Sequence, residues 1–313
     1  MHGAPDAAHA LSEALAHATV LAAYGRQFWL RLDGDDENGG GGERSAVTRG
    51  RRGDVVAGDR VAWRDLGSGQ AVIESVMPRR NLLRRSDDRR EKALAANLDR
   101  AAIVISGEPP FSEELLVRVL IAAEREGIEC LLIATKADVP GALESIEPRL
   151  HVYESLGYPV FRIAAKAEPE ETIARLRPEL GRRTTLLLGQ SGMGKSTLVN
   201  LLVPDAALAT QTISEALQTG KHTTTFTRAF DLAGGGRLID SPGFQVFGLA
   251  HLSATELEHG MREFQPLLGH CRFYNCTHRH EPGCAIRTAV AEGRIDSRRH
   301  TLYEQLRDGA RDR

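Results

Sequence analysis

The sequence has no run of 18 or more apolar residues, only four cysteines and almost no net charge. A membrane-spanning helix needs about 20 consecutive apolar residues, so none is expected. The formal net charge of −2, from 40 basic and 42 acidic residues, argues against a polycation, and any nucleic-acid-binding face must be a local patch. Residues 1–18 are rich in Ala and His and lack the basic start of a signal peptide. We therefore expect a cytoplasmic protein with an N-terminal tail.

The cysteines are unevenly distributed. Cys130 stands in an apolar run, whereas Cys271, Cys276 and Cys284 fall within 14 residues of one another. This spacing is poor for a disulfide framework and suits a cytosolic metal site. With His278 the three thiols form the ligand set of a closed, structural tetrahedral zinc site. The alternative is a group of cysteines without a metal. Two other histidines compete for the imidazole position: His270 and His280.

The chain has 313 residues, a length that suits two or three domains, and its hydrophobic pattern changes from one part to the next. Short apolar runs between Gly- and Asp-rich turns predict a small β-barrel. A basic, polar linker follows, and then strands alternate with helices, which predicts a parallel sheet covered by helices. Helical patterns, one of them over residues 285–307, surround the cysteines. The expected parts are a tail (1–18), a barrel (19–80), a linker (81–96), an α/β domain (97–248) and a helical metal-binding domain (249–313).

A phosphate-binding loop stands between an apolar strand pattern and a helix pattern. Residues 189–196 fit G-x-x-x-x-G-K-[ST]. The glycines let backbone N–H groups turn towards phosphates, Lys195 neutralises the β- and γ-phosphates, and the Ser196 hydroxyl binds Mg²⁺. The predicted nucleotide-binding residues here are Gly189, Gln190, Ser191, Gly192, Met193, Gly194, Lys195, Ser196 and Thr197.

Two downstream segments complete the phosphate end of the site. Asp240 begins Asp-Ser-Pro-Gly after an apolar run, so its carboxylate would lie near Mg²⁺ and the N–H of Gly243 near the γ-phosphate. Between them, Thr223, Thr224 and Thr225 form a polar run in which a threonine, assigned as Thr224, can bind Mg²⁺ when a triphosphate is present. Read alone, a threonine run is more typical of a loop or an edge strand.

The segments that distinguish the base lie upstream of the phosphate loop. Thr135-Lys136-Ala137-Asp138 and Ala164-Ala165-Lys166 each follow a strand pattern. The Asp138 carboxylate can accept from two adjacent N–H groups of guanine, a pair that adenine lacks. The stem of Lys136 can cover the base plane, and Ala165 can offer its N–H to the guanine carbonyl. The base-reading residues are Thr135, Lys136, Asp138, Ala164, Ala165 and Lys166. This order is a rotation of the usual GTPase order, which a parallel sheet tolerates.

Over about residues 19–307 the sequence resembles the RsgA (YjeQ) family of GTPases. The resemblance rests on residues 78–84, the phosphate loop, residues 220–225, residues 240–244 and the cysteine spacing that ends at residues 281–284. It implies an OB-fold barrel, a circularly permuted GTPase domain and a helical zinc domain. It also implies binding to the small (30S) ribosomal subunit and its 16S rRNA, a role in late maturation of that subunit, and ribosome-stimulated GTP hydrolysis. The expected ligands are Mg²⁺ with GTP and one Zn²⁺ on Cys271, Cys276, His278 and Cys284, and we expect a monomer.

Three positions depart from usual GTPase patterns. The family usually has Asn where this chain has Thr135, and a serine hydroxyl is missing at Ala164. Phe244 stands where many GTPases have a glutamine that orients the attacking water, so we expect slow intrinsic hydrolysis. As the family pattern suggests, His222 is a candidate for orienting that water. The predicted catalytic residues are therefore Lys195, Asp240 and His222. The alternative role of His222 is a loop histidine that packs or contacts RNA.

The nucleic-acid face and the activity class leave alternatives open. The barrel aromatics Phe28, Trp29 and Trp63 can stack on bases, but such residues more often fill the barrel. Candidate phosphate contacts are Arg49, Arg51, Arg52, Arg79, Arg80, Arg84 and Arg85. Two rival functions are a phosphate-loop ATPase or kinase with an RNA-binding appendage, and a nucleotide-gated RNA-binding assembly factor.

Overall fold

The computed structural model of the protein describes residues 15–34, 42–49, 54–66, 70–86, 90–206 and 227–309. Within these ranges the chain forms thirteen strands and seven α-helices. Eleven of the strands belong to one continuous sheet, which runs from an N-terminal barrel into a mostly parallel sheet. In the same ranges no helix has both the length and the apolar character needed to span a membrane.

The N-terminal strands form a closed five-stranded barrel. They are β1 (Ala16–Tyr24), β2 (Gln27–Leu32), β3 (Glu43–Thr48), β4 (Arg60–Asp65) and β5 (Gln70–Val76). β1 pairs antiparallel with both β2 and β4, while β3 runs parallel to β5, which closes the order β1-β2-β3-β5-β4 on itself. The interior is apolar and includes Val20, Phe28, Leu30, Val61 and Ile73. The predicted barrel is confirmed, although β1 begins inside the segment predicted as a tail.

A β-hairpin occupies the segment predicted as a linker. β6 (Leu82–Ser86) and β7 (Glu91–Ala96) pair antiparallel, and Leu83 and Ala95 are fully buried. The hairpin lies tightly on the barrel, because a Cβ on Gly58 would come within 2.2 Å of the Ala96 carbonyl oxygen. Arg84 and Lys92 of the hairpin are exposed, whereas Leu82, Leu83 and Leu94 are buried. The segment is therefore an ordered β-hairpin, which its polar composition did not indicate.

The central part is a sheet with the order β10-β9-β8-β11-β13-β12. Its strands are β8 (Arg100–Ile105), β9 (Glu129–Ala134), β10 (Val160–Arg162), β11 (Thr184–Leu188), β12 (Arg228–Asp231) and β13 (Arg237–Asp240). All neighbours are parallel except β12, which also pairs with β1 and so joins the sheet to the barrel. The helices are α1 (Glu113–Arg125), α2 (Glu147–Ser155), α3 (Pro169–Leu180) and α4 (Lys195–Leu202). Since the strands are parallel, the segments after β9, β10, β11 and β13 meet at one edge.

The C-terminal helices, here called the metal module (residues 253–308), pack against the central part. They are α5 (Ala254–His259), α6 (Ala285–Ala291) and α7 (Ser297–Asp308), with a 3-10 turn at Gln265–Leu267. Ser253 and Glu256 form a capping box at the start of α5. The single helix predicted over residues 285–307 is wrong: Gly293 has a φ of +74°, and the chain turns before Asp296 caps α7. The module lies directly on α1, where a Cβ on Gly260 would come within 2.6 Å of Ile121.

Candidate functional site

The phosphate loop connects β11 to α4, and its glycines are required by its geometry. Gly189 has a φ of +149° and Gly194 a φ of +92°, both in the region that side chains disfavour. A Cβ on Gly189 would also lie 2.5 Å from the carbonyl oxygen of Val104. Gly194 is the N-cap of α4, so the amides of the helix N-terminus point towards the position that an anion would occupy.

Lys195 and Asp240 are two buried ionisable side chains at this loop. The Lys195 ammonium donates to the carbonyl oxygens of Gly189 at 2.6 Å and Gln190 at 2.8 Å. Burial lowers the pKa of Lys195, although Asp240 counteracts this. Burial also raises the pKa of Asp240 to about 6, although Lys195 counteracts this.

The donor set around Asp240 fits a magnesium ion. The Asp240 Oδ1 atom is buried and has no hydrogen-bond partner among the described residues. A buried carboxylate oxygen without a partner is costly unless a cation or donor meets it. Ser196 lies exposed at the start of α4 and lines the same cavity as Asp240, and hydroxyl and carboxylate oxygens suit Mg²⁺.

The two predicted base-reading segments come together at the ends of β9 and β10. The Ala137 amide donates to the Ile163 carbonyl at 3.1 Å, which ties one segment to the other. Lys136 has a φ of +60°, and its ammonium donates to the Glu108 carbonyl at 2.6 Å. The Thr135 hydroxyl oxygen lies 2.7 Å from the Met193 carbonyl oxygen in the phosphate loop. The base end and the phosphate end are therefore directly connected.

A single cavity of about 670 Å³ contains both ends of the predicted site. Its walls include Thr135, Lys136, Asp138, Ala165, Lys166, Ser191, Gly192, Gly194, Lys195, Ser196, Thr197, Asp240 and Gly243. Four other predicted residues stand outside this lining: Ala164, Gly189, Gln190 and Met193. The lining also includes Val139 and Ser241, which the sequence pattern did not single out; the Ser241 hydroxyl donates to the Leu187 carbonyl at 2.7 Å.

Several predictions remain untested by this geometry. His222, Thr223, Thr224 and Thr225 lie outside the described residues. Phe244, by contrast, is buried and packs on Phe247 with ring centroids 5.5 Å apart. A buried phenyl ring cannot orient a water molecule in the cavity.

The loop between β8 and α1 supports the site and was not identified from the sequence. Its Glu108 carbonyl accepts from Lys136, and the Ser112 amide donates to the Gln190 side-chain oxygen at 2.6 Å. Ser112 is also the N-cap of α1. The only sequence signal was the turn composition Gly-Glu-Pro-Pro at residues 107–110, which does not indicate a contact with the phosphate loop.

The cysteine cluster has the dimensions of a tetrahedral zinc site. The ligand atoms of Cys271, Cys276, His278 and Cys284 all lie within 4.8 Å of one another. The sulfurs of Cys271 and Cys284 are 3.9 Å apart, and each lies 3.5 Å from the Nδ1 of His278. Ordinary Zn–S and Zn–N bonds at tetrahedral angles place two sulfurs about 3.8 Å apart and a sulfur and a nitrogen about 3.5 Å apart. The cluster is able to bind a zinc ion.

A carboxylate orients the histidine of this cluster. The Nε2 of His278 lies 3.3 Å from the Glu258 carboxylate, which leaves Nδ1 facing the three sulfurs. Metal-binding histidines usually donate their second N–H in this way. The rival candidates His270 and His280 are exposed and outside the cluster. Cys130 is buried in β9, as expected for a core cysteine.

The barrel surface divides the predicted nucleic-acid contacts. Phe28 and Trp63 are buried inside the barrel, which confirms their core role, whereas Trp29 is half-buried with its Nε1 donating to Glu43 at 2.5 Å. Arg79 is a correction: its guanidinium pairs with the fully buried Asp59 at 2.7 Å, so it holds the barrel together instead of facing solvent.

Other arginines remain available on the surface. Arg49, Arg80 and Arg84 have exposed side chains in surface ion pairs, while Arg51 and Arg52 lie outside the described residues. Arg85 donates to the Val246 carbonyl at 2.8 Å. The sequence pattern also missed Tyr274 in the metal module, a fully exposed aromatic two residues from Arg272.

The fold and the cavity define a phosphate-loop nucleoside triphosphatase in which the segments predicted to read the base precede the phosphate loop. Comparison with known proteins agrees with this class. The family profile described as RsgA GTPase matches residues 76–250. The small ribosomal subunit biogenesis GTPase RsgA of Burkholderia pseudomallei (strain K96243) is 52% identical over 291 residues, which cover 93% of this chain and 91% of that protein.

Two solved structures share the fold. The crystal structure of YjeQ from Thermotoga maritima matches with a TM-score of 0.70 at 26% identity, over 93% of this chain and 96% of that one. YloQ, described as a circularly permuted GTPase, matches with a TM-score of 0.69 at 23% identity, over 96% of each chain. The chain belongs to the RsgA GTPase family. It is therefore a GTP hydrolase with a circularly permuted GTPase fold.

Proposed function

We propose that this GTPase binds the small (30S) ribosomal subunit and assists its late maturation, with GTP turnover stimulated by the subunit. The observation that carries the proposal is the cavity in which the ends of β9 and β10 meet the phosphate loop. Its motif order and contents match those of a family whose relatives are named for biogenesis of that subunit. The expected partners are the subunit, its 16S rRNA and GTP or GDP.

At the base end, Asp138 is the principal discriminator. Its carboxylate lines the cavity and would accept from the N1–H and the 2-amino group of guanine, while adenine would leave it unpaired. Lys136 is held by Glu108, which favours its stem lying beside the base. Ala165, also in the lining, would offer its backbone N–H to the guanine carbonyl, with Lys166 beside it.

At the phosphate end, this chain's residues position the substrate. The Lys195 ammonium, now bonded to two loop carbonyls, would turn part of its charge to the β- and γ-phosphates. Ser196, Asp240 and Thr224 would hold Mg²⁺, which neutralises developing phosphate charge when bound. The Gly243 amide would meet the γ-phosphate.

Water activation is the incomplete part of the site. Phe244 is buried, so slow intrinsic hydrolysis is expected, with positioning completed on the subunit. We assign the role of orienting water to His222. A His222→Ala variant that keeps full subunit-stimulated turnover would remove that assignment.

The metal module would report the nucleotide state. The chain runs from Gly243 directly into α5, and the hairpin holds this connection through Arg85 on Val246 and Ser86 on His251. A change around Gly243 on hydrolysis would therefore move the module and release the subunit. An unchanged module position between the GTP and GDP states on the subunit would contradict this.

RNA contact is proposed for the arginine-bearing loops of the barrel and for the exposed Tyr274 with Arg272. Guanidinium groups pair with phosphates, and an exposed aromatic ring offers a stacking surface for a base. We propose a monomer that acts in the cytoplasm, where the subunit matures.

The test is hydrolysis of GTP and ATP by the purified protein with and without purified small subunits. Slow GTP turnover that rises sharply with subunits, with little ATP turnover, is expected. Asp138→Asn should lose at least 100-fold in GTP affinity and prefer xanthosine triphosphate, whose 2-carbonyl accepts from the new amide. Equal use of GTP and ATP would refute base reading, and GTP turnover indifferent to subunits would refute the ribosomal role.

A further inference from the structure

Thr135 occupies an unusual position in the cavity, because its side chain faces both the base end and the phosphate loop. It follows β9 directly and is buried. Its amide donates to the Ile105 carbonyl at 3.0 Å. Its methyl and hydroxyl groups pack against Gly194, where a Cβ would lie 3.4 Å from the Thr135 Oγ1. This side chain therefore fits closely between the sheet edge and the loop.

The hydroxyl of Thr135 has one proton, which it donates in a hydrogen bond to the phosphate loop. The oxygen lies 2.7 Å from the Met193 carbonyl and 3.3 Å from the Ile105 carbonyl. The shorter distance is the usual length of an O–H···O bond, so the proton points to Met193. A hydroxyl has no second proton to donate, and the lone pairs of its oxygen can only accept hydrogen bonds.

Guanine presents an acceptor at its five-membered ring. N7 carries no hydrogen and can be recognised only by a donor. Of the backbone amides in this segment, those of Thr135 and Ala137 are already bonded, to the carbonyl oxygens of Ile105 and Ile163. We infer that Thr135 is a positioning residue that fastens β9 to the phosphate loop and leaves N7 of the guanine unread, so that base selection depends on the opposite edge of the base. This inference rests on the proposed binding of guanine in the cavity.

The decisive measurement compares GDP with 7-deaza-GDP, in which a C–H replaces N7, by displacement of a fluorescent guanine nucleotide. The wild-type protein should bind both within about twofold, because no donor is lost. Inosine diphosphate, which lacks the 2-amino group, should bind at least tenfold more weakly than GDP through Asp138. A fivefold or larger preference of the wild type for GDP over 7-deaza-GDP would overturn the inference.

Two variants separate tethering from base reading. Thr135→Val removes the hydroxyl at nearly constant volume and should weaken GDP and 7-deaza-GDP by the same factor, about five- to tenfold. Unchanged affinity in this variant would refute the tether. Thr135→Asn supplies two N–H groups, one for Met193 and one for N7, and should create a preference for GDP over 7-deaza-GDP of about fivefold. A folded Asn variant without that preference would contradict the placement of N7 beside position 135.

Failure of the proposed function has a different signature. If ADP binds as tightly as GDP, guanine is not selected and both proposals fall together. If ADP and inosine diphosphate are rejected but 7-deaza-GDP is also rejected, only the inference about Thr135 fails. The wild-type ratio decides this even if Thr135→Asn does not fold.

Discussion

Glu113, at the start of α1, is a buried carboxylate that links the metal module to the central part through Arg298 and, by way of Arg149, through Asp296. Its side chain is only 3% exposed. It accepts from the Arg149 Nε at 2.9 Å and from the Tyr153 hydroxyl at 3.1 Å. It also pairs with Arg298 of α7 at 2.5 Å. Arg149 in turn reaches Asp296, the N-cap of α7, with two contacts of 3.0 Å.

The expected cost of Glu113→Gln follows from this environment. Removing one charge of a buried pair typically costs about 3–5 kcal/mol. Arg149 keeps its bonds to Asp296, and the Arg298 side chain is 65% exposed, so both cations are partly compensated. We therefore expect about 2–3 kcal/mol. Glu114 next to it is a matched control, because its half-exposed carboxylate pairs with Arg118 on the helix surface, and Glu114→Gln should cost under about 0.5 kcal/mol.

Native-state hydrogen exchange of peptides from α7 measures how readily the metal module opens away from the central part. A loss of about 2–3 kcal/mol predicts exchange about 30- to 150-fold faster in the Glu113 variant, since about 1.4 kcal/mol corresponds to a factor of ten. Zinc content should remain one per chain in both variants, because the charge removed is not part of the cysteine cluster. Equal exchange in the Glu113 and Glu114 variants would refute the reasoning that this buried carboxylate holds the module.

Two further predictions concern the metal cluster and pH. Glu258→Gln should weaken zinc binding about 10- to 100-fold in a chelator competition, since it removes the carboxylate that orients His278. The control Glu292→Gln, at an exposed residue, should have no effect. Equal zinc affinities of the two variants would contradict the orienting role of Glu258. Burial lowers the pKa of His251, whose Nδ1 lies 2.6 Å from the Ser86 hydroxyl oxygen. As the pH falls through about 6.5, His251 is protonated in the unfolded chain but stays neutral in the folded protein. The difference in the free energy of unfolding between wild type and His251→Asn should therefore become smaller as the pH falls from 7.5 to 5.5. A constant advantage in urea unfolding across this range would count against it.

Local signals were sufficient for the barrel, the parallel strands and the phosphate loop. Gly189 and Gly194 sit at backbone angles that the motif demands, and apolar runs mark β8, β9 and β11 because parallel strands are buried on both faces. The cysteine spacing likewise predicted the metal cluster, while it left His270 and His280 as alternatives to His278, the histidine that the structure brings to the three cysteines. These features depend on residues close together in the sequence.

Contacts between distant segments were not predictable in the same way. The sequence predicts a linker where the hairpin lies, because the burial of the hairpin depends on its contact with Gly58 of the barrel and not on its own composition. The basic composition predicts Arg79 as a phosphate contact, but its partner Asp59 lies twenty residues earlier and is buried. The bond from Ser112 to Gln190 spans 78 residues. No local pattern announces such pairs, since each depends on the completed packing.

Two physical connections between the nucleotide cavity and the metal module can be followed through the described residues. One is the covalent path from Gly243 into α5. The other passes from Gln190 to the N-cap Ser112 and then to Glu113, which the module's own helix α7 contacts. A shift of the phosphate loop on nucleotide binding would move Ser112 directly, whereas the covalent path responds only where Gly243 meets the γ-phosphate. If the α1 path matters, Glu113→Gln should weaken the difference in module protection between the GDP-bound and nucleotide-free protein. If only the covalent path matters, that variant should loosen the module equally in both states.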